Sequence, residues 1–90
     1  MKYRSHNAKR DANEPQIVRD LQTVGAKVWR LSQPCDLLVR FAFRLYLIEV
    51  SNPENKYRKR DEDQLNFLEE WGVPIVTNSE EALRVIGFYD

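Results

Sequence analysis

Apolar residues recur along this chain with two spacings, one typical of helices and the other typical of strands. Spacing of three or four residues predicts helices over residues 13–25, 61–72 and 78–86, each beginning at a residue type that caps helix N-termini. The predicted caps are Asn13, Asp61 and Asn78. Gly25 and Gly72 stand where the first two helices should stop, because glycine accepts the left-handed conformation that ends many helices.

Shorter apolar runs predict four strands, over residues 26–31, 36–41, 44–50 and 74–77. The two-residue link Ala42-Phe43 joins the second and third strands and favours an antiparallel hairpin. Residues 45–48 are apolar on both faces, as expected of a central strand covered on both sides. The order is therefore α-β-β-β-α-β-α, an α/β fold with helices flanking a β-sheet.

Ninety residues with 42% apolar content suffice for one folded domain. Residues 1–12 are polar, basic and without periodicity, so we expect a flexible N-terminal arm before a single domain over residues 13–90. No segment predicts a membrane span or a signal peptide. Cys35, the one cysteine, cannot form an internal disulfide, which favours a cytoplasmic location. Without a histidine in the predicted domain to activate it, Cys35 is interpreted as structural instead of nucleophilic.

Charge is divided unevenly although the formal net charge is zero. Residues 1–60 hold 13 Lys/Arg and 6 Asp/Glu, a balance of +7, whereas residues 61–90 hold 1 and 8, a balance of −7. The candidate nucleic-acid-binding residues lie in one loop and are Lys56, Arg58, Lys59 and Arg60. Such a loop fits binding to a phosphate backbone, and it equally fits a solvated surface.

Four polar residues fall where the pattern predicts apolar faces. Glu49 continues an apolar strand stripe and Asp36 begins the preceding strand, while Glu14 and Gln64 take inward positions on the first two helices. Carboxylates brought together repel one another and are driven towards protonation, which a bound cation prevents. Convergence of these side chains around a divalent metal ion is the simplest interpretation.

Individually, three of the four residues have ordinary structural interpretations. Glu14 fits a first-turn acid that favours the helix dipole, and Asp36 fits a turn after Pro34. Gln64 fits a hydrogen-bonding surface residue. It is their joint arrangement that favours a site.

Several short motifs follow one another between about residues 10 and 87. They are Asn13-Glu14-Pro15, Val28-Trp29-Arg30-Leu31, Pro34-Cys35-Asp36-Leu37-Leu38-Val39, Ile48-Glu49-Val50, Gln64-Leu65, Trp71, Val73-Pro74-Ile75-Val76 and Glu81-Ala82-Leu83. In order and spacing they resemble the VRR-NUC domain of the PD-(D/E)XK nuclease superfamily, in its small stand-alone phage and bacterial form. The resemblance implies a restriction-endonuclease-like mixed β-sheet flanked by helices.

The resemblance also implies a metal-dependent endonuclease that hydrolyses phosphodiester bonds. Asp36, Glu49 and the Val50 carbonyl would hold Mg²⁺ or Mn²⁺, Glu14 would complete the acidic site, and Gln64 would line it. It further implies homodimers acting on branched DNA such as Holliday junctions or flaps.

Two residues depart from the family pattern. Cys35 separates a proline and an aspartate that are normally adjacent, a change expected to affect the turn alone. Ser51 occupies the catalytic position of a lysine, two residues after the glutamate, and cannot supply its positive charge. Candidates to replace that charge lie in the basic loop and are Lys56 and Lys59, with Arg58 and Arg60 able to bind phosphate.

Three functions are therefore open from the sequence. The leading one is a metal-dependent, structure-selective DNA endonuclease. The second is a catalytically weak or silent DNA-binding module of the same fold, because Ser51 replaces the lysine. The third is a small interaction protein with no nucleic-acid role. Metal-dependent cleavage distinguishes the first, and salt-sensitive DNA binding distinguishes the second from the third.

Overall fold

The computed structural model describes residues 11–55 and 59–89. Within them the chain forms three helices and four strands in the predicted order, which confirms the α/β class. The elements are α1 (Glu14–Thr23), β1 (Lys27–Arg30), β2 (Leu37–Phe41), β3 (Arg44–Val50), α2 (Glu62–Glu70), β4 (Ile75–Val76) and α3 (Ser79–Val85). None of the helices in the described segments has the length and apolar composition needed to cross a bilayer.

The strands form one mixed sheet in the order β1-β2-β3-β4. β1, β2 and β3 are antiparallel neighbours, and β4 pairs in parallel with β3. The predicted hairpin is present, with Phe41 paired to Arg44 across a two-residue link. Its residues Ala42 and Phe43 have φ of 53° and 68°, which fits the type of turn that matches strand twist. For residues other than glycine this left-handed conformation costs roughly 1–2 kcal/mol each.

One face of the sheet carries the main hydrophobic core, beneath α1 and α3. Because side chains alternate along strands, the paired residues Leu37 and Ile48 point to this face together with Val39. The buried apolar residues of this cluster are Ile17, Leu21, Ala26, Leu37, Val39, Ile48, Val50, Val76, Ala82, Leu83 and Ile86.

Among the described residues, the opposite face is covered at one end only. There Leu68 of α2 forms a small buried cluster with Cys35 and Val73, and Leu47 packs against it. Leu45, further back along β3, is 69% exposed. The prediction of a strand buried on both faces is therefore wrong for Leu45, because α2 packs against the later part of β3.

Two of the three predicted helix caps form as expected. Asp61 Oδ1 accepts the Gln64 backbone N–H at 2.8 Å, and Asn78 Oδ1 accepts the Glu81 N–H at 2.9 Å. Asn13 occupies the N-cap position of α1, but its side chain makes no capping bond. Its amide instead donates to carbonyl groups of distant segments, which makes Asn13 a connector between elements.

The buried part of the chain extends to residue 11, which the composition had placed in the N-terminal arm. Asp11 is 2% exposed and its carboxylate accepts a hydrogen bond from Asn55 Nδ2 at 3.2 Å. Residues 1–10 of that predicted arm lie outside the described residues.

Candidate functional site

Asp36 and Glu49 are brought together by the antiparallel pairing of β2 and β3. Leu37 pairs with Ile48, so Asp36, which directly precedes β2, lies beside Glu49. Asp36 Oδ2 accepts a hydrogen bond from the Val50 backbone N–H at 2.7 Å. Both carboxylates are buried, Glu49 completely. The two acids that stood out in the sequence are therefore neighbours in the fold.

The buried thiol of Cys35 lies close enough to respond to both carboxylates. Desolvation and, to a smaller extent, the negative charges of Glu49 and Asp36 together raise the pKa of Cys35 to about 11. Removing the proton would place a third negative charge in this small volume. The thiol is therefore protonated at neutral pH, which agrees with the structural interpretation of Cys35.

Glu49 is held by two side chains, one from the end of the basic loop and one from the first turn of α2. Arg60 Nε donates to Glu49 Oε2 at 2.5 Å, and Gln64 Nε2 donates to the same oxygen at 3.3 Å. Gln64 lies in the first turn of α2, which the Asp61 cap fixes at its N-terminus. The structure thus brings Gln64 to Glu49, and it adds Arg60.

The Arg60 guanidinium contacts the backbone of β3 as well. Its Nη2 donates to the Val50 carbonyl oxygen at 3.2 Å, and its side chain is 17% exposed. The resemblance assigns these same groups of β3, the Glu49 carboxylate and the Val50 carbonyl, to a metal ion. A buried carboxylate is costly unless an opposite charge and hydrogen bonds compensate it. The end of β3 is therefore a cation position, and Arg60 provides the cation.

Glu14 is held by a different arginine. Its Oε2 accepts from Arg30 Nε at 2.9 Å, and Glu14 is fully buried. Arg30 pairs in register with Leu37 and so belongs to the core face, whereas Glu49 alternates to the opposite face. Across residues 11–55 and 59–89, no three Asp, Glu, His or Cys side chains gather in a group that could hold a metal ion. A role for Glu14 in metal binding stays a prediction.

Ser51 is fixed through its main chain. Its N–H donates to the Val76 carbonyl at 2.8 Å, and its carbonyl accepts from Asn13 Nδ2 at 3.1 Å. Strand alternation directs its side chain to the same side as Glu49, two residues earlier. The Ser51 hydroxyl carries no charge and cannot compensate the charge of Glu49. The Arg60 guanidinium compensates it instead.

The basic loop is described in part. Lys56 and Arg58 lie outside the described residues. Lys59 is exposed, and its predicted role in DNA binding stays a prediction. Arg60 instead packs against Glu49, so the two described cations of the loop have different environments.

Asparagine side chains connect the elements around the site through contacts that no sequence pattern indicates. Asn13 Nδ2 donates to the carbonyls of Ser51 and, at 2.7 Å, Thr77, which ties the start of α1 to the ends of β3 and β4. Asn55 donates to Asp11 in a similar long-range contact. These three bonds join residues 38, 64 and 44 positions apart, so periodicity and local motifs could not reveal them.

The chemistry of the donor set fits a hard divalent cation. Asp36, Glu49 and the Val50 carbonyl offer carboxylate and carbonyl oxygens, which Mg²⁺ and Mn²⁺ prefer. Arg60 already binds the Glu49 and Val50 oxygens. A metal ion and the guanidinium would therefore compete for the same atoms.

No protein-family model, curated protein or solved structure matches this chain. The relation to VRR-NUC domains stays a prediction from the sequence segments, and the function has to be argued from the site itself.

Proposed function

We propose that this chain is a metal-dependent endonuclease that hydrolyses phosphodiester bonds in DNA and has a restriction-endonuclease-like fold. The observation that carries the proposal is the fully buried Glu49 beside Asp36, with a cation bound at its carboxylate. Buried neighbouring acids are costly to a fold, and a cation-dependent activity gives a reason for them. The mixed four-stranded sheet is compatible with the proposed fold.

In the proposed reaction, Asp36, Glu49 and the Val50 carbonyl would hold Mg²⁺ or Mn²⁺. When bound, the metal lowers the pKa of a water ligand and neutralises charge on the phosphate. The Val50 N–H fixes the orientation of the Asp36 carboxylate, and Gln64 does the same for Glu49. Glu14 is proposed to complete the acidic site, directly or through water.

Arg60 is proposed to supply the positive charge that Ser51 lacks. Its contact with the Glu49 and Val50 oxygens supports this role, because these oxygens belong to the proposed site. If these oxygens bind a metal ion, the guanidinium is free to turn to a phosphate, whose oxygens match its planar donors. This role makes a loop arginine the functional substitute for a strand lysine.

We propose branched DNA, such as Holliday junctions or flaps, as the substrate, and a homodimer as the active form. Symmetric cleavage of two strands needs two sites related by a two-fold axis. Lys59, which is exposed in the basic loop, is suited to contact the phosphate backbone beside the site.

Cleavage of four-way-junction and flap DNA in Mg²⁺ or Mn²⁺ tests the proposal. The parent should cleave, and Asp36→Asn and Glu49→Gln should each lower the rate about 100-fold or more. Glu80→Gln is the matched control, because it makes the same carboxylate-to-amide change on the exposed surface of α3. Absence of cleavage in both metals, or equal rates in all four proteins, would refute the proposal.

A second candidate function is a DNA-binding module that keeps the site without turning over substrate. The contact of Arg60 with both β3 oxygens favours it, because a permanently bound guanidinium would exclude the metal. This candidate predicts DNA binding that weakens with salt, persists in EDTA and is never followed by cleavage.

A further inference from the structure

Half of the sheet face opposite the core carries large apolar side chains exposed to solvent. Trp29 in β1 is 70% exposed and Leu45 in β3 is 69% exposed. The register places Trp29 opposite Leu38, and Leu45 opposite Arg40, so these residues share one face in adjacent rows. Phe43, at the tip of the hairpin that joins β2 and β3, is 90% exposed. These exposed apolar side chains lie on one face of the sheet and at the hairpin tip at its end.

Two cations lie directly opposite each other on the same surface. Lys27 pairs with Arg40 across β1 and β2, and both are exposed. Like charges in this arrangement destabilise a sheet unless an anion lies between or over them. Within β1, β2 and β3 the one acidic residue is Glu49, which is buried at the covered end of this face. The exposed half of the strands is therefore apolar and positively charged.

Phe43 is an unusual residue for its place in the hairpin. Its φ of 68° is a conformation in which turns of this kind prefer glycine. Packing does not account for the aromatic ring, because it is almost wholly exposed, and its close neighbour is Arg40, with Cζ 5.5 Å from the ring centroid. The exposed, strained aromatic ring beside an arginine makes Phe43 a candidate binding residue.

We propose that this surface binds single-stranded nucleic acid, and we name it the aromatic face, formed by Lys27, Trp29, Arg40, Phe43 and Leu45. Bases would stack on Trp29 and Phe43, and phosphates would pair with Lys27 and Arg40. A single strand carries exposed base faces and phosphates in alternation, which complements both properties of the surface. The inference rests on the proposed function in taking nucleic acid as the partner, but it needs neither a metal nor cleavage.

Charge argues against a second copy of the chain as the occupant of the aromatic face. A two-fold axis through this face would bring Lys27 and Arg40 of one copy towards the same cations of the other. Nucleic acid instead supplies the negative charge that this pair of cations lacks.

Binding of a fluorescent oligothymidine of about 20 nucleotides, measured by anisotropy in EDTA, tests the stacking residues. Trp29→Thr and Phe43→Asn should each weaken binding about five-fold or more. Trp71→Thr is the matched control, because Trp71 is also exposed, at 67%, and lies outside the aromatic face. Phe43→Asn relieves the backbone strain, so a loss of binding in this variant would not come from unfolding.

The salt dependence of the same binding tests the two cations. The double variant Lys27→Gln/Arg40→Gln should reduce the slope of log affinity against log salt concentration by about 1.4, from two lost phosphate contacts. The double variant Arg19→Gln/Arg84→Gln removes two exposed arginines from α1 and α3, and it should leave the slope unchanged.

Unchanged affinity in Trp29→Thr and Phe43→Asn, or no binding by the parent, would overturn the inference. The inference would also be overturned if the parent sediments as a dimer and these two variants sediment as monomers with unchanged oligonucleotide affinity. That result would assign the aromatic face to a second copy of the chain. Junction cleavage by a parent that does not bind the oligonucleotide would contradict this inference alone. Binding through the aromatic face without cleavage in any metal would contradict the proposed endonuclease alone.

Discussion

Arg60 donates from Nε to Glu49 Oε2 over 2.5 Å, which sets a guanidinium against a carboxylate that has no solvent exposure. The pair joins the end of β3 to the loop that precedes α2. Through its second contact, with the Val50 carbonyl, the same side chain covers two oxygens of the proposed metal site. Arg60 is thus a partner of the buried Glu49 carboxylate and, in the proposed metal site, would compete with the metal ion.

We expect Arg60→Gln to lower the free energy of unfolding in EDTA by about 2–3 kcal/mol, because it removes the cation from a buried charge. Urea denaturation measures this, and a double-mutant cycle with Glu49→Gln should give a coupling of about 1–2 kcal/mol. Lys59→Gln, the neighbouring exposed cation, should change stability by less than about 0.5 kcal/mol. Equal effects of Arg60→Gln and Lys59→Gln would show that the pair does not stabilise the fold.

Ser51→Lys should raise the rate of junction cleavage about ten-fold or more, because it places a cation on the strand face that carries Glu49. Single-turnover cleavage in Mn²⁺ measures the change. Ser51→Gln is the control, since it adds a long polar side chain without charge. If the lysine and glutamine variants cleave at equal rates, the missing charge is not what limits the site.

The Cys35 thiol should react slowly with alkylating reagents in the folded protein. With its pKa raised to about 11 by burial and by the nearby Glu49 and Asp36 carboxylates, about one thiol in a thousand is ionised at pH 8. Labelling should accelerate about 100-fold or more in urea, where the thiol regains its ordinary pKa. Equal labelling rates with and without urea would contradict the buried, protonated thiol.

The same raised pKa predicts a pH dependence of stability. The folded chain keeps a proton that the unfolded chain releases, so this contribution is present below pH 9.0 and is lost as the pH rises towards about 11. The unfolding free energy of the parent should therefore fall more steeply over this interval than that of Cys35→Ala. Parallel pH profiles for the two proteins would exclude the thiol as the cause.

Replacing the hairpin link by Asn-Gly should stabilise the fold. Ala42→Asn/Phe43→Gly gives the turn the residues that its positive φ values favour, and it should raise the unfolding free energy by about 1–2 kcal/mol. Gly72→Ala is the control in the opposite direction and should lower the unfolding free energy. It adds a Cβ at φ +64° with no atom within 4 Å, so backbone strain is its main effect. A double variant no more stable than the parent would mean that the link is not strained.

The parts of the fold that depend on local chemistry could be predicted from the sequence. Asp61 and Asn78 cap their helices because an N-cap needs only its own first turn, and the two-residue link specifies the hairpin for the same reason. The proximity of Asp36 and Glu49 follows from that hairpin, since its register sets which residues lie side by side.

Contacts between distant segments could not be predicted in the same way. The Asn13 side chain bonds to Ser51 and Thr77 instead of capping its own helix, and Arg60 contacts Glu49, which lies 11 positions earlier in the chain. The exposure of Leu45 depends on how far α2 extends over the sheet, which apolar periodicity does not encode. Charge and spacing therefore indicated the acidic pair Asp36 and Glu49, but they did not indicate that Arg60 binds the Glu49 carboxylate.

The most direct test is a calorimetric titration with Mn²⁺. It asks whether the Asp36, Glu49 and Val50 oxygens form one cation site for which Arg60 and a divalent metal compete. The parent should bind Mn²⁺, Glu49→Gln should bind about ten-fold more weakly or worse, and Lys59→Gln should match the parent. Arg60→Gln should bind about ten-fold more tightly, because the competing guanidinium is gone. The claim would be contradicted if none of the four proteins binds Mn²⁺. It would also be contradicted if Glu49→Gln and Arg60→Gln both bind Mn²⁺ as tightly as the parent does.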